Sequence, residues 1–296
     1  MAALATSGIT LPTNIAAGMW SKAVSGSTVA ALSGQSPMQF GNETVMTFTT
    51  PPRAEYVAEG ADKAPTAGAF STKTVVPHKV QVTMRFNQEV QWADEDYQLG
   101  VFSTLADAGG TALSRALDLG VYHAINPLTG TAIAGLSENI TDTTQSVEVA
   151  GSADTEVESA AGLVIANGFI PNGVALDPKY AWTLATARYS DGRKKYPDLG
   201  FGTSITTFEG LNASVSSTVS GTPEATDTKV RGILGDFTNG IRWGVQKRVP
   251  IELIQFGDPD GQGDLKRKNQ VALRLEVVYG WAIMDLLAFS KIVDAV

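Results

Sequence analysis

The sequence predicts an α+β fold, and three stretches carry that prediction. Residues 94–125 keep one apolar face for longer than any other stretch without a turn signal, which predicts one long helix. Ahead of it, two alternating runs flank a polar excursion, which predicts an extended β-hairpin. Residues 270–281 alternate again, with Val271, Leu273, Leu275 and Val277 in register, and we expect this long strand to pair beside the helix.

The long helix has a face made mostly of small side chains, which lets it lie close against a sheet. That face consists of Phe102, Leu105, Ala106, Gly109, Ala112, Leu113, Ala116, Leu117, Gly120 and Ala124, spaced by three and four residues. Acidic residues 94–96 favour the first turn, and Asn126-Pro127 ends the helix. At ~1.5 Å per residue the helix is a rod of about 45 Å, a spine for other elements.

The hairpin is predicted from its composition. Residues 44–49 form a strand that Pro51-Pro52 stops, and Val80, Val82, Met84 and Phe86 alternate on one face of the returning strand. Between them, residues 53–77 are rich in Ala, Pro, Gly and Thr and carry few large apolar side chains. We therefore expect residues 52–80 to serve contact with a partner and not the core.

The remaining segments complete the α+β pattern. Residues 1–40 are too poor in large hydrophobic residues to close a core, so we expect an arm that lies on something else. After residue 150, Asp154 is expected to cap a helix that Gly168 ends, and Asp177-Pro178 to start a helix over 179–187. Strands are predicted at 145–149, 174–176, 204–208, 213–219, 230–234, 240–245 and 251–254.

Composition narrows the function classes. The chain has 296 residues, a net charge of −8 and no cysteine. Its acidity argues against tight nucleic-acid binding, and the basic run Lys266–Lys268 is expected to be a solvated loop. The absence of cysteine excludes disulfides, a thiolate nucleophile and Cys-type zinc sites. With neither a signal-peptide pattern nor ~18 consecutive apolar residues, we expect a soluble protein without membrane contact.

The sequence offers little catalytic chemistry. We expect structural roles for His78 and His123, the two histidines, and capping or solvated roles for the carboxylate pair Glu89 and Asp94. Residues 202–206 lack the closing glycine of a nucleophile elbow, and the acidic residues at 258, 260 and 264 depart from calcium-loop spacing. The prediction is therefore no enzyme, no cofactor and no metal.

Several stretches, in order, resemble the major capsid proteins of tailed bacteriophages, with their Hong Kong 97-type shell fold. They are Leu11-Pro12 with Ile15, Trp20 and residues 27–29; residues 54–61 and 70–79; residues 82–90, which lead into the spine helix; and residues 191–193, 210–211, 235–237, Arg274 and 288–289. The resemblance spans almost the whole chain. Its most specific feature is the polar hairpin immediately before a long helix.

The resemblance implies a division of the chain and a set of contacts between subunits. It implies an N-terminal arm (1–40), an extended loop (41–90), a peripheral domain with the spine helix (91–150), an axial domain (151–263), and a return strand of the peripheral domain with the C-terminal tail (264–296). The arm and loop would reach across neighbours. The contact residues it implies are Trp20, Arg53, Glu55, Tyr56, Glu59, Lys63, Phe70, Lys73 and His78.

The function implied is a structural one. The chain would assemble with itself, as hexamers and pentamers, into an icosahedral virion capsid around double-stranded DNA, with non-specific proximity to that DNA. Portal, scaffold or decoration proteins would be further partners, and the host cytoplasm the place of assembly. Lysines 63 and 73 lie in the loop, but no asparagine is identifiable as a crosslinking partner. Two alternatives stay open: an encapsulin-like nanocompartment of the same fold, and a β-rich enzyme such as a glycan hydrolase.

Overall fold

The fold is known from a computed structural model, which describes residues 27–50, 53–63, 65, 68–88, 95–136, 138–202 and 204–295. The described helices are α1 (Thr28–Leu32), α2 (Glu95–His123), α3 (Ala153–Ala166) and α4 (Pro178–Thr186). The described strands are β1 (Glu43–Thr50), β2 (Ala69–Asn87), β3 (Ile125–Asn126), β4 (Thr131–Ala132), β5 (Ser146–Val149), β6 (Gly173–Leu176), β7 (Thr207–Phe208), β8 (Leu211–Val215), β9 (Val230–Gly235), β10 (Ile241–Arg248), β11 (Glu252–Ile254), β12 (Gln270–Ile283) and β13 (Phe289–Asp294).

Two large sheets organise these elements. One has five strands in the order β1-β2-β12-β10, with β11 also paired to β12. The other has six strands in the order β5-β13-β9-β6-β8-β7, and β3 with β4 forms a separate two-stranded ribbon. The predicted α+β class, the long helix and the long strand predicted at 270–281 are all present.

The small face of α2 packs on β12, as its spacing predicted. A Cβ added to Gly109 would lie 2.4 Å from Leu275 Cδ2, and one added to Gly120 would lie 3.0 Å from the ring of Trp281. Both glycines therefore permit a close approach of helix and sheet, and a larger residue at either position would force the facing side chain to shift. Beyond them, residues 116–124 are buried on all sides, so the last third of the spine is a core helix.

The first part of the returning strand β2 belongs to the hairpin, and the rest belongs to the five-stranded sheet. This corrects the expectation that residues 52–80 lie wholly outside the core. Residues 69–75 pair with β1, whereas Val76–Asn87 pair with β12. Val75 is fully buried, because its side chain covers Gly280 on the face of the sheet opposite α2. The part of the hairpin outside the core is thus shorter and ends near residue 74.

The region after residue 150 differs from the predicted elements in a few details. Ser152, not Asp154, is the N-cap residue of α3, because Asp154 lies in the first turn and pairs with Lys195. Asp177 caps α4 as predicted, accepting from the Lys179 N–H at 2.8 Å. Of the strands predicted at 204–208 and 213–219, the first shortens to β7 and the second divides into β8 and a 3-10 turn at Ser217–Val219.

Two strands pair with a different sheet from the one that their predicted domain range indicates. Strand β10 lies within the range assigned to the axial domain, yet it pairs with β12 of the five-stranded sheet. Strand β13 lies within the return segment, yet it pairs with β9 and β5 of the six-stranded sheet. The chain therefore crosses between the sheets after β9 and again after β12.

A buried carboxylate on the spine joins three distant segments. Asp118 has no exposed surface and accepts hydrogen bonds from the Thr28 N–H at 3.0 Å, the Val29 N–H at 3.1 Å and the Thr28 hydroxyl at 2.7 Å. The hydroxyls of Ser27 and Thr218 also donate to it, the latter at 2.8 Å. Asp118 thus caps α1 from another helix and ties both to the 3-10 turn after β8.

Replacing Asp118 with alanine should lower the stability of the subunit by at least about 3 kcal/mol, because several buried donors lose their acceptor together. Urea unfolding of the unassembled subunit measures this. Asp107→Ala, which removes an exposed carboxylate from the same helix, is the control and should cost much less. Equal stability of the two variants would show that Asp118 does not hold these segments together.

Candidate intersubunit surface

The most exposed segment of the described structure is the tip of the hairpin. Residues 53–63 are exposed throughout and lie outside helices and strands. Five of the predicted contact residues lie here: Arg53, Glu55, Tyr56, Glu59 and Lys63. The segment has both charges and a fully exposed tyrosine ring, a composition suited to a contact with another protein surface.

The hairpin strands below the tip present an apolar outer face. Residues opposite each other in an antiparallel pair share a face, and Met46 lies opposite Thr72. Phe70 lies two residues before Thr72 and so shares that face. Met46 is 68% exposed and Phe70 is 61% exposed. Large apolar side chains at this exposure, next to a polar tip, are typical of a surface that a neighbour covers.

The inner face of the hairpin is fastened to the body. Lys73 Nζ donates to both carboxylate oxygens of Glu138 at 2.9 Å, and Arg242 pairs with Glu43 at 2.6 Å at the base of β1. Both ion pairs are partly exposed, so each contributes modestly to stability. Their effect is to fix the direction in which the hairpin leaves the body. Lys73 therefore anchors the hairpin within its own chain.

His78 lies beyond the projecting part of the hairpin, where β2 pairs with β12 in the five-stranded sheet. Its ring lies 4.1 Å from the ring of Trp281, tilted by 34°, and burial lowers the pKa of His78. This histidine is a packed side chain of the body. Trp20, the remaining predicted contact residue, lies outside the described residues.

The segment before β1 crosses the five-stranded sheet on the face opposite α2. Ser36 N–H donates to the Trp243 carbonyl at 2.8 Å, and a Cβ on Gly244 would lie 2.2 Å from the Ser36 carbonyl oxygen. Further along, the Gln246 side chain bonds both the N–H and the carbonyl of Gly41. Sequence reasoning missed this strap, whose one signal is a glycine in the interior of a strand.

The residues considered for catalysis or metal binding have structural partners. His123 is buried with its Nε2 2.8 Å from the Val219 carbonyl, and burial lowers the pKa of His123 despite that bond. Arg85 pairs with Asp258 and Asp260, and its hydrogen bonds hold the pKa of Asp260 below its usual range. In the described ranges, no group of three or more His, Cys, Asp or Glu could hold a metal ion.

The carboxylate pair Glu89 and Asp94 lies outside the described residues. Among the helices that the structure describes, none combines the length and the hydropathy that crossing a bilayer requires.

The structure is thus a body built on two sheets, with a fastened hairpin that projects an exposed tip, an arrangement suited to a subunit that packs beside copies of itself. The model of the phage capsid family matches residues 7–294. The chain therefore belongs to the phage capsid family, and it is a structural subunit of a phage capsid, located in the virion.

Similar proteins agree with this assignment. A solved chain titled Mycobacterium phage Ogopogo is 48% identical, with a TM-score of 0.82, and the match covers 91% of this chain and 92% of that chain. One titled Gordonia phage Cozz is 31% identical, with a TM-score of 0.79 and coverage of 91% and 87%. The "Probable major capsid protein gp17" of Mycobacterium phage D29 is 24% identical over 252 residues, 82% of this chain and 77% of that protein. The resemblance and fold predicted from the sequence are confirmed.

The buried histidine at the end of the spine predicts a pH effect on stability. The pKa of His123 is lowered in the folded state, so the unfolded chain takes up a proton first as pH falls below the ordinary value near 6.5. Stability should therefore be full above pH 7 and decrease towards pH 5. His123→Gln, whose amide can still donate to the Val219 carbonyl, should flatten this slope in thermal melts between pH 8 and 5. An unchanged slope would contradict the assignment, and His78→Gln measures the share of the second histidine.

Proposed function

We propose that this chain is the major capsid protein that assembles, as hexamers and pentamers, into the icosahedral shell around the double-stranded DNA of a tailed bacteriophage. The observation that carries the proposal is the hairpin tip at 53–63, which is exposed throughout while its base is fastened to a rigid body. Such a tip contributes nothing to the core of its own chain. Its exposed side chains are available to a neighbour, and a closed shell repeats such a contact at every position.

The proposed contact surface is the tip together with the apolar outer face of the hairpin. Arg53, Glu55, Tyr56, Glu59 and Lys63 would meet the neighbouring subunit first, with Phe70 beside Met46 beneath them. Lys73 and His78 would contribute indirectly, by holding the hairpin to its own body. Trp20 would belong to the arm, the second element proposed to reach across neighbours.

The two sheets support a proposed assignment of the peripheral and axial domains. The five-stranded sheet with α2 would form the peripheral domain, and the six-stranded sheet with α3 and α4 the axial domain around capsomer axes. Strand β10 then belongs with the peripheral sheet and β13 with the axial one. The arm at 1–40 and the loop within 41–90 would link neighbouring subunits.

The role proposed is structural and not catalytic, with no cofactor. The chain carries a net charge of −8, so contact with packaged DNA would be non-specific and screened by salt. The basic run forms an exposed 3-10 turn at Lys266–Lys268, and its exposure suits such weak contact. Portal, scaffold or decoration proteins are proposed as further partners, with assembly in the host cytoplasm.

The experiment that tests this function is assembly of the purified chain without added cofactor. Sedimentation at micromolar concentration and physiological salt should show capsomers or closed particles, because the hairpin tip is stabilised by a neighbour. A single monomeric species would contradict the proposal. Particles isolated from infected cells should contain double-stranded DNA, whereas an enclosed enzyme would instead identify a nanocompartment.

Shortening the hairpin should separate folding from assembly. Thr50 and Ala69 are partners in the register of β1 and β2, so a two-residue Gly-Ser turn can replace residues 51–68 without disturbing the strands. The trimmed subunit should melt near the wild-type temperature by circular dichroism, yet form no closed shells by electron microscopy.

A milder variant keeps the loop length and serves as the matched comparison. Tyr56→Ser with Val57→Ser removes two exposed apolar side chains at the tip, and it should weaken assembly without abolishing folding. Normal shells from the trimmed subunit would show that the tip is dispensable, and an unfolded trimmed subunit would place it in the core.

A further inference from the structure

A second exposed surface lies on α4 and the segment between α4 and β7, far from the hairpin in sequence. It consists of three aromatic side chains, Trp182, Tyr189 and Phe201, which we call the aromatic patch. They are 51%, 54% and 69% exposed. The rings of Trp182 and Phe201 are stacked, 5.9 Å apart and inclined by 15°. Exposed stacked aromatics on a folded domain are typical of the centre of a protein interface.

The patch is held in its exposed position by the backbone. Gly202 has φ +77°, and a Cβ there would lie 2.4 Å from the Ala181 carbonyl oxygen, so the turn that carries Phe201 packs directly on α4. Lys194 Nζ donates to the Gly200 carbonyl at 2.9 Å and lies 5.6 Å from the centre of the Phe201 ring. Because the rings are fixed before any partner arrives, little side-chain entropy is lost on binding.

The patch is rimmed by positive charge in an acidic protein. Residues 179–202 contain five lysines or arginines and two aspartates, whereas the whole chain has a net charge of −8. Lys195 and Arg193 pair with Asp154 and Asp191. The charges of Arg188 and Lys194 face backbone carbonyls instead, at 2.8 and 2.9 Å, so they retain a positive potential that suits an acidic partner.

An acidic surface lies at the opposite edge of the same sheet. The patch segment leads into the outer strand β7, and contact between the rings of Tyr196 and Phe208, 5.1 Å apart, fixes it there. At the other edge, the outer strand β5 exposes Glu148, and the exposed Asp142 precedes it. Two complementary surfaces at opposite edges of one domain are what a head-to-tail contact between identical subunits requires, and such contacts form a ring when the rotation between subunits closes.

We propose that the aromatic patch of one copy docks on the β5 edge of a second copy, with Arg188 facing Glu148. This inference rests on the proposed shell function and names a contact within it that is separate from the hairpin. Trp182 and Phe201 would supply the apolar centre of this contact. The pair of Arg188 and Glu148 would direct the patch to the β5 edge and not to another surface.

Removing the rings tests the apolar centre of this contact. Trp182→Ser with Phe201→Ser should weaken association into capsomers about thirtyfold or more, as truncation of a central aromatic does. The conservative variant Trp182→Phe with Phe201→Tyr keeps both rings and should assemble as the wild type does. Analytical ultracentrifugation measures association, and circular dichroism shows that each subunit folds. Wild-type assembly by the serine variant would overturn the inference.

Two further variants test the pairing of the edges. Arg188→Glu should weaken assembly, and adding Glu148→Arg should restore it, whereas Lys179→Glu reverses a nearby charge that pairs with Asp227 and should have little effect. Because the chain has no cysteine, Arg188→Cys with Glu148→Cys should give a ladder of linked subunits with a short bis-maleimide, and each single variant should not.

The outcomes separate this inference from the function on which it rests. If the wild-type chain stays monomeric, the proposed function fails. If the wild type assembles but the charge swap does not restore Arg188→Glu and the double cysteine variant gives no ladder, the docking inference alone is wrong.

Discussion

The buried carboxylate of Asp118 is the constraint on which the rest of the structure depends. A charge without exposed surface is expensive unless donors surround it, and here two backbone N–H groups and three hydroxyls do so. These donors come from α1, near the start of the described chain, and from the turn after β8. The interaction therefore fixes the arm side of the molecule and the six-stranded sheet to one point on the spine.

Neighbouring charges extend this junction. Arg115, one turn before Asp118, pairs with Glu224 and donates to the Thr222 carbonyl at 2.7 Å. Burial alone would raise the pKa of Glu224, but the hydrogen bonds of Arg115 lower it. Further out, Arg231 joins Asp227 to Asp294 near the end of the chain. The second sheet is thus attached to the spine by directional polar contacts as well as by packing, which gives the two sheets a defined relative geometry.

Periodicity was enough to predict the elements but not how they are joined. The spacing of small residues predicted α2, and its packing on Leu275 and Trp281 follows from that spacing. The burial of Val75 could not be predicted, because it depends on Gly280 and Gln246, which are distant in sequence. The burial of Asp118 had a signal in the sequence, because this carboxylate lies between Leu117 and Leu119 in a buried stretch. Its partners are distant in sequence and could not be predicted. The role of the basic run Arg193–Lys195 could not be predicted either, because it depends on the aromatic side chains that folding places beside it.

The arrangement of rigid and exposed parts explains why such a subunit needs its neighbours. Glycines at 109, 120 and 244 bring the helix, the sheet and the strap into close contact, so the body has little freedom to rearrange when it meets another copy. That body holds the exposed apolar groups in place. They are Met46 and Phe70 on the hairpin and the aromatic patch beside the six-stranded sheet. A rigid body that presents fixed surfaces in two directions loses little entropy at each contact. Weak contacts can then add up around a closed shell, because symmetry repeats each of them and closure makes them mutually dependent.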